Sequence, residues 1–311
     1  MSFNTSYENV LSREERATFA LRALYAGRGY SRYRMSKFEE YDLYVRNKEF
    51  LVSENIITFT DTDGRLMALK PDVTLSIIKN SRSEGGLTKV FYDEHVYRVS
   101  GGTKNFREIM QVGLECIGEV GQSEIREVLS LAVGSLKALS ESFVLEVSQL
   151  DLIKALLCYF SADDAVSASI IDHLGKKNAD GIKAVCTEAG LGEAAKDAFL
   201  LLVGTYGAPD KVIPRLEPLR LNRECSEAID ALAGALSGLP EGVSVDFSVT
   251  KSGSYYNGVA FVGFIEGVPT EILRGGQYDK LAERVSGRKA GAIGFAVYLD
   301  ELEKQKGDGA I

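Results

Sequence analysis

The first regular hydrophobic pattern lies near the start of the chain and predicts an amphipathic helix. Ser12 followed by Glu15 is a capping-box sequence, apolar residues recur at helical spacing over 17–24, and Gly27 ends the pattern. A strand is predicted after it, over residues 30–38. The chain therefore opens with a helix that leads into a strand.

A β-hairpin is predicted next, because two apolar segments, 56–60 and 65–69, flank the turn sequence Asp61-Thr-Asp-Gly64. A short helix is expected over 70–78. The pattern then predicts a series of further elements: strands at 89–97 and 108–117, a long amphipathic helix at 123–139, and a short strand at 143–147.

The residue composition and the hydrophobic pattern change after residue 150. Alanine, leucine, isoleucine and charged residues dominate 151–238, which predicts four or five helices. Strand patterns return at 243–249, 258–264, 269–273 and 290–297, and a helix is predicted after Gly275-Gly276. We predict an α+β fold with an antiparallel sheet flanked by helices, in which 1–150 and 240–311 form one core and 151–239 is a helical insertion.

Composition narrows the classes of function. The 311 residues carry a formal net charge of −8, which disfavours a nucleic-acid-binding surface. No apolar run approaches the roughly 20 residues that span a bilayer, and the first residues lack the pattern of a signal peptide. These features predict a cytoplasmic protein with neither a nucleic-acid nor a membrane partner.

The sequence contains few residues that are suited to metal binding or redox chemistry. The four cysteines (Cys116, Cys158, Cys186 and Cys225) are widely spaced, and we expect all of them to be buried apolar residues. Only two histidines are present, which disfavours histidine-ligated metals and serine-protease-type triads. We predict no metal site and no cofactor.

Four segments, taken in order, resemble the histidyl-tRNA synthetase family of class II aminoacyl-tRNA synthetases, and together they cover nearly the whole chain. The matching segments are Gly29-Tyr30 with Lys37-Phe38-Glu39 (motif 1), Leu69-Lys70-Pro71-Asp72-Val-Thr74, Val96-Tyr97-Arg98 with residues 106–115 (motif 2 and the following strand), and Gly253-Ser254-Tyr255-Tyr256-Asn257-Gly258 with Gly275-Gly276-Gln277-Tyr278-Asp279 and Gly294-Phe295-Ala296 (motif 3). The resemblance implies a class II synthetase-like core and, through motif 1, a twofold dimer around residues 30–43 that buries Tyr30 and Tyr33.

The resemblance also implies a site for histidine. Gln111 and Glu115 are four residues apart on a predicted strand and so share a face. Carboxylates suit an ammonium group, a buried Glu suits an imidazole N–H, and phenols can donate and accept hydrogen bonds. The candidate histidine-binding residues are Asp72, Thr74, Gln111, Glu115, Tyr255 and Tyr256. The alternative is that Gln111 and Glu115 face solvent on an edge strand and that the tyrosines are ordinary strand aromatics.

The family's ATP-binding residues are only partly present. Arg98 and Arg107 match the motif 2 arginines and are candidates for residual phosphate or carboxylate binding. Glu301 stands where motif 3 has an arginine, and Lys251 replaces a catalytic arginine whose forked geometry a lysine cannot reproduce. Loss of one such donor costs about 3 kcal/mol of transition-state stabilisation, so we expect no catalytic residues.

Within this family the pattern resembles the regulatory subunits of short-form ATP phosphoribosyltransferase. Only nine residues follow Leu302, so we expect no anticodon-binding domain. The resemblance implies three partners: the catalytic phosphoribosyltransferase subunit, a second copy of this chain, and L-histidine as an effector. The alternative is a paralogue that adenylates histidine or another amino acid without tRNA.

Overall fold

The fold is taken from a computed structural model, which describes residues 10–47, 56–81, 86–99, 105–250 and 255–303. Its first helix confirms the prediction made from the capping-box sequence. Helix α1 (Arg13–Ala26) starts where the Ser12 hydroxyl accepts from the backbone N–H of Glu15 while the Glu15 carboxylate accepts from that of Ser12. Gly27 caps the other end, as predicted.

The described residues contain twelve strands in two sheets. In chain order the strands are β1 (Ser31–Arg32), β2 (Phe38–Glu40), β3 (Thr58–Thr60), β4 (Leu66–Leu69), β5 (Thr88–Val99), β6 (Phe106–Gly118), β7 (Phe143–Gln149), β8 (Tyr206–Gly207), β9 (Val243–Asp246), β10 (Asn257–Ile265), β11 (Leu273–Gln277) and β12 (Gly291–Tyr298). The large sheet has the order β1-β5-β6-β12-β11-β10-β7-β9-β8, and the small sheet has the order β2-β4-β3. Only the β1–β5 and β7–β9 pairs of the large sheet are parallel. The predicted antiparallel character is confirmed.

Helices cover both faces of the large sheet. The remaining helices are α2 (Tyr41–Val45), α3 (Thr74–Asn80), α4 (Gln122–Leu139), α5 (Leu150–Tyr159), α6 (Asp164–Gly175), α7 (Ala179–Glu188), α8 (Glu193–Val203), α9 (Pro209–Val212), α10 (Arg223–Leu236), α11 (Asp279–Ser286) and α12 (Asp300–Glu303). Alternate residues of β6 point to opposite sides, so that Val112 and Leu114 join the apolar cluster under α1 and α4. Ile109 and Ile117 join a second cluster with α3 and α11. The second face carries the site described below.

The segment between β7 and β9 is mainly helical, with five helices of ten or more residues, the short α9 and a 3-10 helix at Ile213–Leu219. It also contains β8, which pairs with β9 at the edge of the large sheet. The division of the chain into a core and an inserted subdomain stays a prediction. None of the helices in the described ranges is both long and apolar enough to cross a membrane.

The predicted strand over 30–38 is wrong in its extent. Only β1 pairs with β5, and β2, which begins at Phe38, belongs to the small sheet. Tyr30 is buried in the apolar cluster under α4, and the Tyr33 hydroxyl lies 3.2 Å from the Ser76 hydroxyl of α3. Tyr30 is thus buried within the chain itself, whereas Tyr33 is only partly buried. The twofold dimer stays a prediction.

Two further expectations need correction. Cys116, Cys186 and Cys225 are buried, but Cys158 on α5 is exposed. The strand predicted over 269–273 is β11 and lies at Leu273–Gln277, so that it contains Gly275-Gly276; α11 follows at Asp279, as predicted. The physical reason is crowding, because a Cβ atom on Gly275 would lie 2.5 Å from the Gly294 carbonyl oxygen.

This crowding predicts that Gly275→Ala destabilises the fold. The added methyl group would also lie 2.5 Å from Cζ of Phe261, inside a packed sheet that has no room to relax. Overpacking of this kind costs about 2–3 kcal/mol, which should appear as a lower midpoint in urea or guanidinium denaturation. Gly86→Ala is the matched control, since no atom lies within 4 Å of the equivalent Cβ position and the residue is exposed. Equal midpoints for the two variants would contradict the packing argument.

Candidate ligand-binding site

Glu115 occupies the centre of the candidate site. It lies on β6 between β5 and β12, and only 2% of the residue is exposed. The alternative that it faces solvent on an edge strand is therefore wrong. Its Oε1 accepts a hydrogen bond of 2.7 Å from the Thr74 hydroxyl, and its Oε2 accepts one from the Tyr278 hydroxyl. Both of these hydrogen-bond partners are neutral.

Burial raises the pKa of Glu115 from its ordinary value to about 8, and the nearby charge of Asp72 acts in the same direction. The hydroxyls of Tyr278 and Thr74 oppose the rise because they donate to the ionised form. At neutral pH the carboxyl group therefore retains a proton. A ligand that brings a positive charge would stabilise the ionised form instead.

Asp72 lies at the start of α3, one residue beyond Pro71. Its Oδ1 accepts from the backbone N–H of Leu75 at 3.0 Å, which caps the first turn of the helix. Burial raises the pKa of Asp72, and the charge of Arg98 lowers it. Arg98 is in turn oriented by a 3.1 Å hydrogen bond from Nε to the carbonyl oxygen of Pro71. A carboxylate and a guanidinium thus lie on the same side of the site.

Tyr255 and Tyr256 bring an aromatic wall to these acids. Their ring centroids lie 4.8 Å apart in an edge-to-face arrangement, and the Tyr255 ring lies 5.9 Å from that of Tyr278. Burial raises the pKa of Tyr255, and the charges of Asp72 and Glu115 raise it further. These two tyrosines are therefore part of the acidic cluster rather than ordinary strand aromatics.

Gln111 lies on the same face of β6, four residues before Glu115. It is 3% exposed, and its side-chain nitrogen Nε2 is buried with no hydrogen-bond partner among the described residues. Its cross-strand neighbours are Glu94 on β5 and Tyr298 on β12. Glu94 is paired with the buried Lys70 ammonium at 2.5 Å. The unpaired amide nitrogen of Gln111 is a donor that a ligand oxygen would satisfy.

Three glycines of the sheet leave space that side chains of the site occupy. A Cβ atom on Gly113 would lie 2.5 Å from the Tyr92 hydroxyl, one on Gly276 would lie 2.9 Å from the Tyr256 ring, and one on Gly294 would collide with the Glu115 carboxylate. Glycine is therefore required at each of these positions, so that the polar side chains can lie flat against the sheet.

The structure brings the sequence-predicted residues together. Asp72, Thr74, Glu115, Tyr255 and Tyr256 form one cluster, and Gln111 lies beside it on the same face of the sheet. Three tyrosines of the site were missed: Tyr92, Tyr278 and Tyr298. Tyr278 has a visible signal, since it follows the two glycines of a matched segment. Tyr92 and Tyr298 have none, because they appear as ordinary strand residues until the register is known.

The two candidate phosphate-binding arginines lie in different surroundings. Arg98 lies at the site, whereas Arg107 is paired with the Asp300 carboxylate at 2.8 Å and lies 4.0 Å from Glu301. The expected motif 3 arginine is thus replaced by acids that face Arg107. Lys251 lies outside the described residues.

Other regions offer less to a ligand. In the described ranges no group of three or more His, Cys, Asp or Glu side chains is arranged to hold a metal ion. A cleft of about 730 Å³ lies between α9, the end of α10 and β9, but none of the sequence-predicted site residues lines it. The polar cluster on β6 is therefore the better candidate.

The sequence model of the family described as "Histidyl-tRNA synthetase" matches residues 6–302. The chain belongs to this family. Among curated relatives, the ATP phosphoribosyltransferase regulatory subunit of Ruminiclostridium cellulolyticum is 28% identical over 297 residues, which cover 91% of this chain and 70% of the relative.

Solved structures show the same fold of the histidyl-tRNA synthetase family. An ATP phosphoribosyltransferase regulatory subunit/histidyl-tRNA synthetase from Bacillus halodurans matches with a TM-score of 0.84 at 22% identity, covering 98% of this chain and 81% of that one. A chain of the ATP phosphoribosyl transferase complex from Thermotoga maritima matches with a TM-score of 0.70 at 17% identity, covering 92% of this chain and 97% of that one. The predicted class II synthetase-like fold is confirmed.

The buried Glu115 predicts a distinctive pH dependence of stability. Its pKa in the folded chain is about 8, above its ordinary value, so the unfolded chain loses the proton first as pH rises. Between about pH 5 and 8 the wild type should therefore lose on the order of 1 kcal/mol of unfolding free energy per pH unit relative to Glu115→Gln, which cannot ionise. Below pH 5 and above pH 8 the difference between the two should be constant.

Denaturant unfolding across pH 4.5–9 measures this difference, with Glu141→Gln, an exposed glutamate, as the matched control. The control should follow the wild-type pH profile. Parallel pH profiles for the wild type and Glu115→Gln would contradict a raised pKa at Glu115.

Proposed function

We propose that this chain is a regulatory subunit of ATP phosphoribosyltransferase that supports a separate catalytic subunit and conveys feedback by histidine. Its curated relatives carry that name, and a chain of the complex from Thermotoga maritima has the same fold. The proposed partners are the catalytic subunit, a second copy of this chain and L-histidine, with neither a nucleic acid nor a membrane. The proposal places the complex in the cytoplasm.

The histidine site is the second part of the proposal. The observation that carries it is Glu115, a buried carboxyl group whose hydrogen-bond partners are two hydroxyls and whose pKa is raised to about 8. A carboxylate has about four lone-pair positions, so an imidazole N–H can bind beside these two donors. A charge-assisted bond to an imidazolium would stabilise the ionised form that burial disfavours.

The other groups of a free amino acid also find partners of the right chemistry. Asp72 is a carboxylate for the ammonium group, and Thr74 and Tyr255 contribute hydroxyls close to it. The unpaired Gln111 Nε2 is a donor for the carboxylate, with Arg98 on the same side. We therefore assign the imidazole to the Glu115 end of the site and the carboxylate to the Gln111 end.

The proposal includes no catalytic role for this subunit. Adenylation needs several cations on the triphosphate, because charge moves between the phosphates in the transition state. Arg107 is neutralised by Asp300, with Glu301 beyond it, and Arg274 is held by Glu271 through contacts of 2.5 and 2.8 Å. Among the described residues of the site, Arg98 favours the adenylating paralogue, and one arginine is too few for that reaction.

Histidine should bind the isolated chain, and Glu115→Gln should weaken binding by about 10- to 100-fold. This range corresponds to the roughly 1.5–3 kcal/mol of a hydrogen bond to a charged group. Isothermal titration calorimetry measures the affinity. In the reconstituted complex, the histidine concentration that inhibits phosphoribosyl transfer by half should rise by a similar factor, whereas Glu141→Gln should leave both values unchanged. Identical inhibition curves for the wild type and Glu115→Gln would place the inhibitory site elsewhere.

The pH dependence of histidine binding follows from the titration of Glu115 and of the ligand's imidazole. Free Glu115 keeps its proton up to about pH 8, and free imidazole is neutral above its ordinary pKa of about 6.5, whereas the complex shares one proton. Affinity should therefore be flat between about pH 6.5 and 8 and fall on either side. In Glu115→Gln the fall above pH 8 should be weaker, because only the loss of a proton from the ligand's ammonium group remains.

Histidine-dependent exchange of pyrophosphate into ATP should be absent. The reason is the neutralisation of Arg107 by Asp300, which removes a phosphate-binding cation. Exchange is measured with labelled pyrophosphate against a heat-inactivated sample, with an active histidyl-tRNA synthetase as positive control. Exchange clearly above the inactivated sample would favour the adenylating paralogue instead.

A further inference from the structure

Side-chain size increases along the part of β12 that faces the site. The residues on that face are Gly294, Ala296 and Tyr298, and their cross-strand partners on β6 are Glu115, Gly113 and Gln111. At the Glu115 end the β12 residues are small, and the Glu115 carboxylate takes the space above Gly294. At the Gln111 end, a phenol ring rises from the same sheet.

Tyr298 is fixed among the groups of the site. It packs against the apolar cluster that contains Tyr278 and also adjoins Tyr255 and Tyr256. Burial raises its pKa, the charges of Arg98 and Arg274 lower it, and those of Glu271 and Asp72 raise it, so that Tyr298 is near charged groups of both signs. Arg274 is held by two contacts of 2.5 Å with the Glu271 carboxylate, so its side chain has little freedom to move.

The distance between the two ends suits a free amino acid. Gln111 and Glu115 are four residues apart on an extended strand, so their Cα atoms are about 13 Å apart. Histidine measures roughly 7 Å from its imidazole nitrogen to its carboxylate, given bond lengths near 1.5 Å. Hydrogen bonds of about 2.8 Å at both ends would fill the remaining span. A ligand placed in this way directs its carboxylate towards Gln111 and Tyr298.

We propose that Tyr298 is a specificity-determining residue that restricts the site to free amino acids and excludes ligands whose carboxylate carries a nucleotide. This inference rests on the proposed histidine site and adds the class of compound that the site accepts. A group bonded to the carboxylate would have to extend into the space that the phenol ring holds. The neighbouring arginines offer little compensation, since Arg274 is already paired with a carboxylate of its own chain.

The test compares two ligands on the isolated full-length chain. They are L-histidine and 5′-O-(N-L-histidylsulfamoyl)adenosine, a non-hydrolysable compound in which the acyl group carries an adenosine. The wild type should bind histidine and reject the adenosine compound. Tyr298→Ala should shift the ratio of the two affinities towards the adenosine compound by about tenfold or more, because the steric exclusion is removed. Tyr298→Phe is the matched control, since it keeps the ring and should keep the exclusion.

Each other outcome overturns the proposal. If the wild type binds the adenosine compound as tightly as histidine, Tyr298 excludes nothing. If Tyr298→Phe admits the compound as Tyr298→Ala does, the ring does not determine selectivity. Tyr298→Leu, which retains an apolar side chain of intermediate size, replaces Tyr298→Ala if thermal unfolding shows that the smaller variant does not fold. A wild-type chain that binds neither compound would remove the histidine site itself, which separates that failure from a failure of selectivity alone.

Discussion

The burial of one carboxyl group in the middle of the sheet is the constraint on which the rest of the site depends. Glu115 lies between two strands that pair with β6 along most of its length, so the backbone beneath it cannot move away. Its oxygens need donors, and Thr74 and Tyr278 supply them from α3 and from the residue preceding α11. Its volume needs space, and Gly294 supplies it. One acidic side chain thus places demands on α3, on the residue before α11 and on one glycine of β12.

The local elements were predictable from the sequence because their signals are local. The Ser12–Glu15 box and the Asp-Gly turn each act within a few residues, and both appear in the structure as expected. The placement of Glu115 and Gln111 on one face also followed from the two-residue period of a strand. Register could not be read in the same way. The strand that contains Gly275-Gly276 was predicted to end at residue 273, because the neighbouring strand that requires glycine there is contributed by residues about twenty positions later.

Only part of the site could be predicted from the sequence, for the same reason. Asp72, Thr74 and the Tyr255–Tyr256 pair stand in segments with a family resemblance, so their chemistry pointed to an amino-acid ligand. Tyr92 and Tyr298 become site residues only through pairing across the sheet, which no pattern along the chain records. The pairing of Arg107 with Asp300 is likewise a contact between positions 193 residues apart. Residues within the matched segments were therefore predictable, whereas residues placed by cross-strand pairing were not.

The hydrogen bonds of Glu115 join positions that are 41 and 163 residues apart in the chain. Closing loops of that length has an entropic cost that local structure cannot recover, so the site exists only when the strands and helices around it have assembled. A compound that bridges α3, β6 and the segment before α11 therefore binds the folded chain and has no counterpart in the unfolded one. By linkage, every increase in its concentration above the dissociation constant adds to the stability of the whole core. The abundance of such a compound and the persistence of the folded chain would thereby be coupled through thermodynamics alone.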